Sequence, residues 1–191
     1  MAVLFALPAG ATDFGRAAAG TSGSEFMLFD TSARGIAMGG AYSVATNDAS
    51  SLYWNPAGLS QVPRFSATFL HAQYIAGVTY NAAAIAKRVN DSSVIAFGVR
   101  YLDIGAITRT DSDSFVSRGE FHPRSYLAEV GWGQSIYDLS DSEVDVAMGV
   151  TAKYMHSDLL AHANAYGGDL GVHSRFYGTS QTYELALAIQ N

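Results

Sequence analysis

The sequence contains no cysteine and few charged side chains. Lys, Arg, Asp and Glu make up only 15% of its 191 residues, whereas soluble domains carry about 25%. Without cysteine the chain forms neither disulfides nor thiolate metal sites. The formal net charge of −6 gives no excess of basic side chains to neutralise phosphates. We therefore predict that the protein does not bind nucleic acid.

A long apolar run that would predict a membrane-spanning helix is also missing. The longest stretch without Lys, Arg, Asp or Glu covers residues 65–86, which is long enough to cross a bilayer as a helix. It contains His71, Gln73 and Asn81, whose polar groups are costly in hydrocarbon. We predict instead two strands joined by a turn at Ala76-Gly77.

Catalytic and cofactor motifs are absent as well. The sequence has no Gly-x-Ser-x-Gly nucleophile elbow and no Gly-x-x-x-x-Gly-Lys phosphate loop. Its five histidines match no zinc-binding spacing, including His156 and His162 around one predicted loop. We therefore predict no enzyme, no cofactor and no metal site. The acidic loop residues lack the spacing of a calcium loop, and we interpret them as solvated charges: Asp111, Asp113, Asp138, Asp141 and Glu143.

The chain from residue 65 onward alternates apolar with polar or small residues, and turn formers interrupt it at intervals. This period of two, without helical periodicity, predicts an antiparallel all-β fold. Residues 90–92 predict a short turn, whereas the polar stretches 104–118 and 156–164 predict long loops. The seven predicted strands lie near residues 65–75, 78–89, 94–103, 120–136, 143–156, 165–177 and 182–190.

Each predicted strand is amphipathic, and two folds share this pattern. A soluble barrel or sandwich turns its apolar face inward, whereas a membrane barrel turns it toward lipid and keeps a polar lumen. The polar faces here are rich in Ala and Gly, which suits a lumen occupied by a plug. Aromatic residues near strand ends are typical of an interfacial girdle; they are Tyr101, Trp132, Tyr154, Phe176 and Tyr183. We favour the membrane barrel and keep a soluble β-barrel binding module as an alternative.

Charged residues on the polar strand faces form a possible internal network. Opposite charges across a lumen could pair and hold a plug in place, although exposed pairs contribute little to stability. The alternative is a set of isolated solvated charges. The predicted lumen-facing residues are Arg100, Lys153, Arg175, Asp145, Asp169 and Glu184, and we expect Arg34 to join them from the plug.

The N-terminal third of the chain differs from the predicted strands. The apolar run at residues 2–7, followed by Pro8 and the small residues at 9–11, predicts that residues 1–11 are the remnant of an export signal. Residues 33–59 are rich in Gly, Ala and Ser. Within them, Asn55 before Pro56 predicts the start of a short helix, and Asp48 is a second possible N-cap.

The motifs of this region occur in a specific order. Gly-Thr-Ser-Gly-Ser-Glu-Phe at residues 20–26 comes first, followed by Ala-Arg-Gly at 33–35 and Met-Gly-Gly-Ala at 38–41. Asn-Asp-Ala-Ser at 47–50 then leads into Tyr-Trp-Asn-Pro-Ala-Gly-Leu at 53–59. This series resembles the N-terminal signature of PorV/PorQ-type outer-membrane proteins, which belong with the FadL-like β-barrels.

The resemblance implies an antiparallel transmembrane β-barrel in the bacterial outer membrane. Residues 12–63 would form a small N-terminal hatch inside the lumen, and residues 64–191 would form barrel strands. FadL-like relatives have fourteen strands, so we expect this chain to be about the N-terminal half of an incomplete barrel. The expected hatch motif consists of Arg34, Gly39, Gly40, Asp48, Trp54, Asn55, Pro56, Ala57 and Gly58.

The resemblance also implies a non-enzymatic function in type IX protein secretion and the surface attachment of cargo. The expected partners are outer-membrane lipid, secreted cargo proteins and components of the secretion system. A FadL-like channel for long-chain fatty acids or other hydrophobic small molecules is the alternative within the superfamily. Its ligand would be lined by Phe26, Phe29, Met38, Tyr42 and Trp54.

Overall fold

The computed structural model describes residues 25–111, 114–137, 144–158 and 162–191. The predicted signal remnant at 1–11 and most of the motif at 20–26 lie outside the described residues. The fold is mostly antiparallel β-structure, with 60% of the residues in strands, which confirms the all-β prediction. Residues 25–63, here called the N-terminal segment, contain short helices and precede the strands.

The strands of the described residues are β1 (Phe65–Gln73), β2 (Thr79–Arg88), β3 (Ser93–Asp103), β4 (Ile107–Asp111), β5 (Ser114–Phe121), β6 (Arg124–Tyr137), β7 (Val144–Asp158), β8 (His162–Tyr177) and β9 (Thr182–Ile189). Seven of them form one antiparallel sheet in the order β1-β2-β3-β6-β7-β8-β9, which curls into a half-barrel. The short helices are α1 (Ala33–Ala37) and α2 (Ser51–Trp54), with 3-10 turns at Glu25–Leu28, Pro56–Gln61 and Ile75–Gly77.

The seven predicted strands correspond to the seven strands of this sheet, but both predicted long loops were wrong in extent. Residues 104–118 contain most of the separate β4–β5 hairpin, because the β-branched Ile107, Thr108 and Thr110 favour extended backbone despite their polar neighbours. The second loop is shorter than predicted, since β7 and β8 remain paired as far as Asp158 and His162. In both cases, polar residues that belong to strands were predicted to be loop residues.

The two faces of the sheet have opposite character. The inner face, defined by its contact with the N-terminal segment, carries small and charged residues that are mostly buried. The outer face carries large apolar side chains that are exposed, as the alternating burial of β3, β7 and β8 shows. Leu170 on the outer face is 58% exposed, whereas Asp169 beside it on the inner face is 1% exposed. The apolar rows therefore face away from the N-terminal segment, as predicted.

Three glycines in register make room for the N-terminal segment on the inner face. Gly133 pairs with Gly149, and Gly149 pairs with Gly171, so the three form one row across β6, β7 and β8. A Cβ at Gly149 would lie 2.2 Å from the carbonyl carbon of Pro56. A Cβ at Gly171 would lie 2.0 Å from Oδ1 of Asn55. The backbone of the segment therefore rests directly on this glycine row.

Two apolar clusters flank the glycine row and fix the segment to the sheet. In the first, Leu52, Leu59 and Val62 of the segment pack with Val94 and neighbouring alanines of β2 and β3. In the second, Phe26 packs with residues of β2, β3, β6 and β7. Complete burial of a leucine contributes about 1.5–3 kcal/mol, and Leu52 and Leu59 are at most 1% exposed. These apolar side chains hold the N-terminal segment at the position where the glycine row leaves room for its backbone.

We predict that Gly149→Ala lowers the free energy of unfolding by about 1–3 kcal/mol, the usual cost of overpacking a filled site. The added methyl group would meet the backbone of Pro56, which no side-chain rotation can relieve. Ala152→Val is the matched control, because it adds bulk on the exposed face of the same strand and should change stability by less than about 0.5 kcal/mol. Urea unfolding followed by tryptophan fluorescence measures both; equal losses would contradict this packing.

Candidate functional site

Asn55 joins the N-terminal segment to the sheet. Its side chain is completely buried, and its Oδ1 accepts a hydrogen bond from the N–H of Ala57 at 3.0 Å. Its Nδ2 donates to the carbonyl oxygens of Ser43 and Val172, each at 3.3 Å. Asn55 is thus the N-cap of the turn at Pro56–Gln61, as predicted, although the helix is of the 3-10 type. The bond to Val172 also fixes this turn against β8.

The residues on either side of Asn55 are tightly packed. Oδ1 of Asp48 accepts hydrogen bonds from the N–H of Ser50 at 2.8 Å and its hydroxyl at 2.5 Å. Asp48 therefore shapes the turn before α2, whose N-cap is Ser50, rather than capping the helix itself. Ala57 is fully buried, and a Cβ at Gly58 would lie 2.6 Å from the carbonyl oxygen of Thr46.

Gly35 and Trp54 make the second close approach within the segment. A Cβ at Gly35 would lie 2.5 Å from Cζ2 of Trp54, so only glycine lets the indole lie against α1. The ring of Tyr42 packs edge-on against Trp54, with centroids 5.9 Å apart. Gly39 and Gly40 instead have φ values of +62° and +83°, a left-handed conformation that glycine adopts without strain.

Arg34 lies away from the charges of the sheet. Its side chain is exposed, and its guanidinium lies 5.5 Å from the centroid of the Tyr42 ring. Among the described residues it forms no ion pair. The prediction that Arg34 joins the lumen charges was therefore wrong. The reason is that α1 turns Gly35 toward Trp54, which leaves the neighbouring Arg34 on the opposite side.

The predicted charges of the inner face form ion pairs. Nζ of Lys153 lies 2.7 Å from Oδ1 of Asp169, and both side chains are buried. Arg175 and Glu184 pair at 2.7 Å and are partly exposed. The expectation of pairing is confirmed for these four residues. Asp145 differs, because it accepts a hydrogen bond from the hydroxyl of Tyr177 at 2.6 Å.

Arg100 pairs with a residue that the sequence analysis missed. Its NH2 lies 2.8 Å from Oε2 of Glu129, and the two side chains are 1% and 3% exposed. The guanidinium also donates to the carbonyl oxygen of Met27 at 3.3 Å and lies 4.6 Å from the centroid of the Tyr53 ring. Burial raises the pKa of Tyr53, and the charge of Arg100 opposes that rise. The sequence does contain a signal for Glu129. It lies two residues from both Leu127 and Gly131 in β6, so it shares the inner face with them.

Side chains at the other end of the inner face also bind the segment. Arg88 donates to the carbonyl oxygens of Ser60 at 2.5 Å and Val62 at 2.9 Å. Arg175 donates to Oε1 of Gln61 at 3.0 Å. Sequence analysis missed Arg88, which lies on the same face of β2 as the buried Ala86. Together with Arg100, these side chains bind the segment near both of its ends.

The predicted lining residues do not surround one cavity. Phe26 and Phe29 pack with Tyr80 near one end of the sheet, whereas Tyr42 and Trp54 pack with each other. Met38 is 43% exposed. A mostly apolar recess of about 140 Å³ borders the cluster that contains Phe26; its lining includes Met27, Leu127, Lys153, Met155 and Tyr166.

Two histidines and an aspartate meet at the end of β7 and β8. The ligand atoms of His156, Asp158 and His162 all lie within 4.8 Å of one another. Sequence analysis missed this group because it compared spacings along the chain, whereas the antiparallel register pairs Asp158 directly with His162. The side chains of the five acidic loop residues considered for calcium lie outside the described residues.

No protein-family model matches the chain, and no curated protein matches it significantly. Among the described residues, no helix is both long enough and apolar enough to span a membrane.

We predict that Glu129→Ala destabilises the protein by about 3–5 kcal/mol, because it leaves the charge of Arg100 buried without its partner. Glu184→Ala is the control, since it removes the partner of the more exposed Arg175 and should cost less than about 1 kcal/mol. Urea denaturation curves of the wild type and of both variants measure the two losses in the free energy of unfolding. Similar losses would show that burial does not distinguish the two pairs.

Proposed function

We propose that the protein is a non-enzymatic outer-membrane β-barrel protein of the PorV/PorQ type, with the N-terminal segment as its hatch. The observation that carries the proposal is the inverted distribution of polarity. Apolar side chains such as Leu170 and Val130 are exposed on the outer face, whereas Arg100, Glu129 and Lys153 are buried on the inner face. A soluble β-protein has the opposite arrangement, whereas a barrel in lipid has this one.

The exposed apolar residues form a continuous surface. One row in register runs across five neighbouring strands, and every side chain in it is at least 41% exposed. On one side of it Met148, Val172 and Leu187 form a second exposed row, and on the other side the pair Phe97 and Val130 extends the apolar area. Soluble monomers seldom expose large contiguous apolar patches, and lipid would cover this one. The first row consists of Ile95, Trp132, Val150, Leu170 and Ile189.

The strand lengths suit a bilayer. β6, β7 and β8 contain 14, 15 and 16 residues, whereas strands of globular proteins commonly have about 5–6. From Tyr126 to Ile136 the outer face of β6 extends about 33 Å at about 3.3 Å per residue. At the usual tilt of about 40°, this distance covers about 25 Å along the bilayer normal, the height of the apolar band of outer-membrane barrels.

Aromatic side chains border this band. At the end of the sheet near β4 and β5, Tyr101 packs with Tyr126 and Tyr154 packs with Tyr166, with centroids 5.0 and 5.3 Å apart. Phe176 and Tyr183 are paired near the other end. Trp132, also predicted for a girdle, lies within the central apolar row. Paired aromatics at both ends support an interfacial girdle.

The ordered motifs favour the secretion type within this superfamily. The resemblance extends through Asn55-Pro56-Ala57, the part of the segment that rests on the glycine row. On this proposal the hatch closes the lumen, and the outward loops bind secreted cargo proteins or secretion-system components in the bacterial outer membrane. No step of this function requires catalysis or a cofactor.

Transport of hydrophobic compounds is the second candidate. The apolar recess near Met27, Leu127 and Met155 favours it. Its volume of about 140 Å³ is smaller than the roughly 300–1,000 Å³ of most ligand pockets. A long-chain fatty acid would require displacement of the segment. We therefore rank transport below secretion, and a soluble binding module third.

We predict that Leu170→Arg destabilises the protein in phosphatidylcholine vesicles by about 2–4 kcal/mol, because it places a cation near the centre of the bilayer. Tyr183→Arg, near a strand end, is the control and should cost about 0–1 kcal/mol. Urea titrations of the vesicle-refolded proteins measure both. In a soluble protein an exposed Leu170→Arg would change stability by only about 0.5 kcal/mol, and that result would contradict the membrane barrel.

Deletion of the gene separates secretion from transport. We expect proteins with a C-terminal sorting domain to accumulate in the periplasm and to disappear from the cell surface, while uptake of long-chain fatty acids continues. Immunoblots of cell fractions and uptake of radiolabelled oleate give the two readouts, and the restored wild-type gene is the control. Normal surface attachment together with reduced oleate uptake would reverse the order of the candidates.

A further inference from the structure

The end of the β7–β8 hairpin gathers three metal-ligating side chains on the outer face. His156 and Asp158 are two residues apart on β7, so they share this face, and His162 on β8 is paired directly with Asp158. Nε2 of His156 lies 3.0 Å from Oδ1 of Asp158. Nδ1 of His162 contacts the same oxygen. Two imidazole nitrogens therefore converge on one carboxylate.

Asn164 orients the first imidazole. It is paired with His156 across the strands, and its Oδ1 lies 2.7 Å from Nδ1 of His156. An amide oxygen only accepts hydrogen bonds, so Nδ1 is the donor in this contact, and Nε2 is the nitrogen directed toward Asp158. Histidine ligands of metals are commonly oriented in this way by a hydrogen bond at their other nitrogen.

The converging lone pairs require a positive charge between them. An unprotonated Nε2 and a carboxylate oxygen repel each other at hydrogen-bond distance, so either protons on the imidazoles or a metal cation must lie there. Two imidazoles and one carboxylate are a donor set that suits Zn²⁺. Tetrahedral zinc, with bonds of about 2.0–2.2 Å, separates its ligand atoms by about 3.3 Å. Nε2 of His156 and Oδ1 of Asp158, which are 3.0 Å apart, are close to this value. His162 lies closer to Asp158 than two ligands of one zinc ion do, and its side chain, which is 84% exposed, has room to move outward to that separation.

We infer that His156, Asp158 and His162 form a Zn²⁺ site that fastens the ends of β7 and β8 together. The three protein ligands leave one tetrahedral position for water or for a ligand from a binding partner. His156 lies in the same register row as Tyr101 and Tyr126, and the Asp158–His162 pair lies nearer the end of the sheet that carries the β4–β5 hairpin. It does not rest on the proposed function, because both strands belong to the described sheet whatever covers its outer face.

The chain provides a matched control on another hairpin. His71 and Asn81 are paired between β1 and β2, and Nδ1 of His71 lies 2.7 Å from Oδ1 of Asn81. This pair repeats the geometry of His156 and Asn164, although His71 is exposed and His156 is only partly exposed. Among the described residues, neither a carboxylate nor a second histidine completes a metal-ligand group at His71. It therefore contains the orienting interaction without the site.

Titration of the chelator-treated protein with Zn²⁺ in an isothermal calorimeter tests the inference. We expect one zinc ion per chain for the wild type and for His71→Ala. His162→Ala and Asp158→Asn should weaken that binding more than a hundredfold. Asn164→Ala, which keeps all three ligands, should weaken it by about ten- to a hundredfold, the usual effect of removing an orienting partner.

Circular dichroism spectra of each variant verify the strand content before the titration. If His162→Ala does not fold, two variants still decide the question: Asp158→Asn preserves the shape of the side chain, and Asn164→Ala keeps all three ligands. Stoichiometric binding that depends on Asp158 and His162 and is weakened by Asn164→Ala supports the site. Absence of binding by the wild type, or equal binding by wild type and His162→Ala, would overturn it and leave protons as the bridging charge.

Discussion

The contact between the glycine row and the backbone of the N-terminal segment is the constraint on which the rest of the structure depends. Gly133, Gly149 and Gly171 present a strip without side chains, and Asn55-Pro56 rests on it at distances that exclude any Cβ. Because this strip occupies the inner face, the apolar residues of the same strands must point outward. The position of the segment and the exposure of the apolar surface are therefore two results of one alternating pattern.

Polar interactions add to the contact between the glycine row and the N-terminal segment. Asn55 bonds to the carbonyl of Val172, Arg100 to that of Met27, and Arg88 to those of Ser60 and Val62. Three of these four bonds are accepted by backbone carbonyls of the segment, so they fix its course rather than the identity of its side chains. The buried Arg100–Glu129 pair is costly to desolvate and is stable only while both partners remain. This buried pair and the bonds to backbone carbonyls hold the N-terminal segment against the sheet.

Local patterns in the sequence predicted the strands, because alternation with a period of two depends only on neighbouring residues. The N-cap role of Asn55 was also predicted, because it depends only on Asn55 and the residue that follows it. Contacts that depend on register were not predictable: Glu129 as the partner of Arg100, and Asp158 opposite His162. Arg34 was assigned to the wrong surroundings because the packing of Gly35 against Trp54, which turns α1, leaves no local signal. The β4–β5 hairpin was missed because polar composition concealed its β-branched residues.

The direction in which the apolar face points is most directly tested with single cysteines, since the native chain has none. A fluorophore on Val130→Cys reports from the outer face, and one on Ser60→Cys reports from the N-terminal segment. In vesicles of lipids brominated on their acyl chains, we expect strong quenching at residue 130 and little at residue 60. Quenching at residue 60 with residue 130 unaffected, or no quenching at either position, would contradict it.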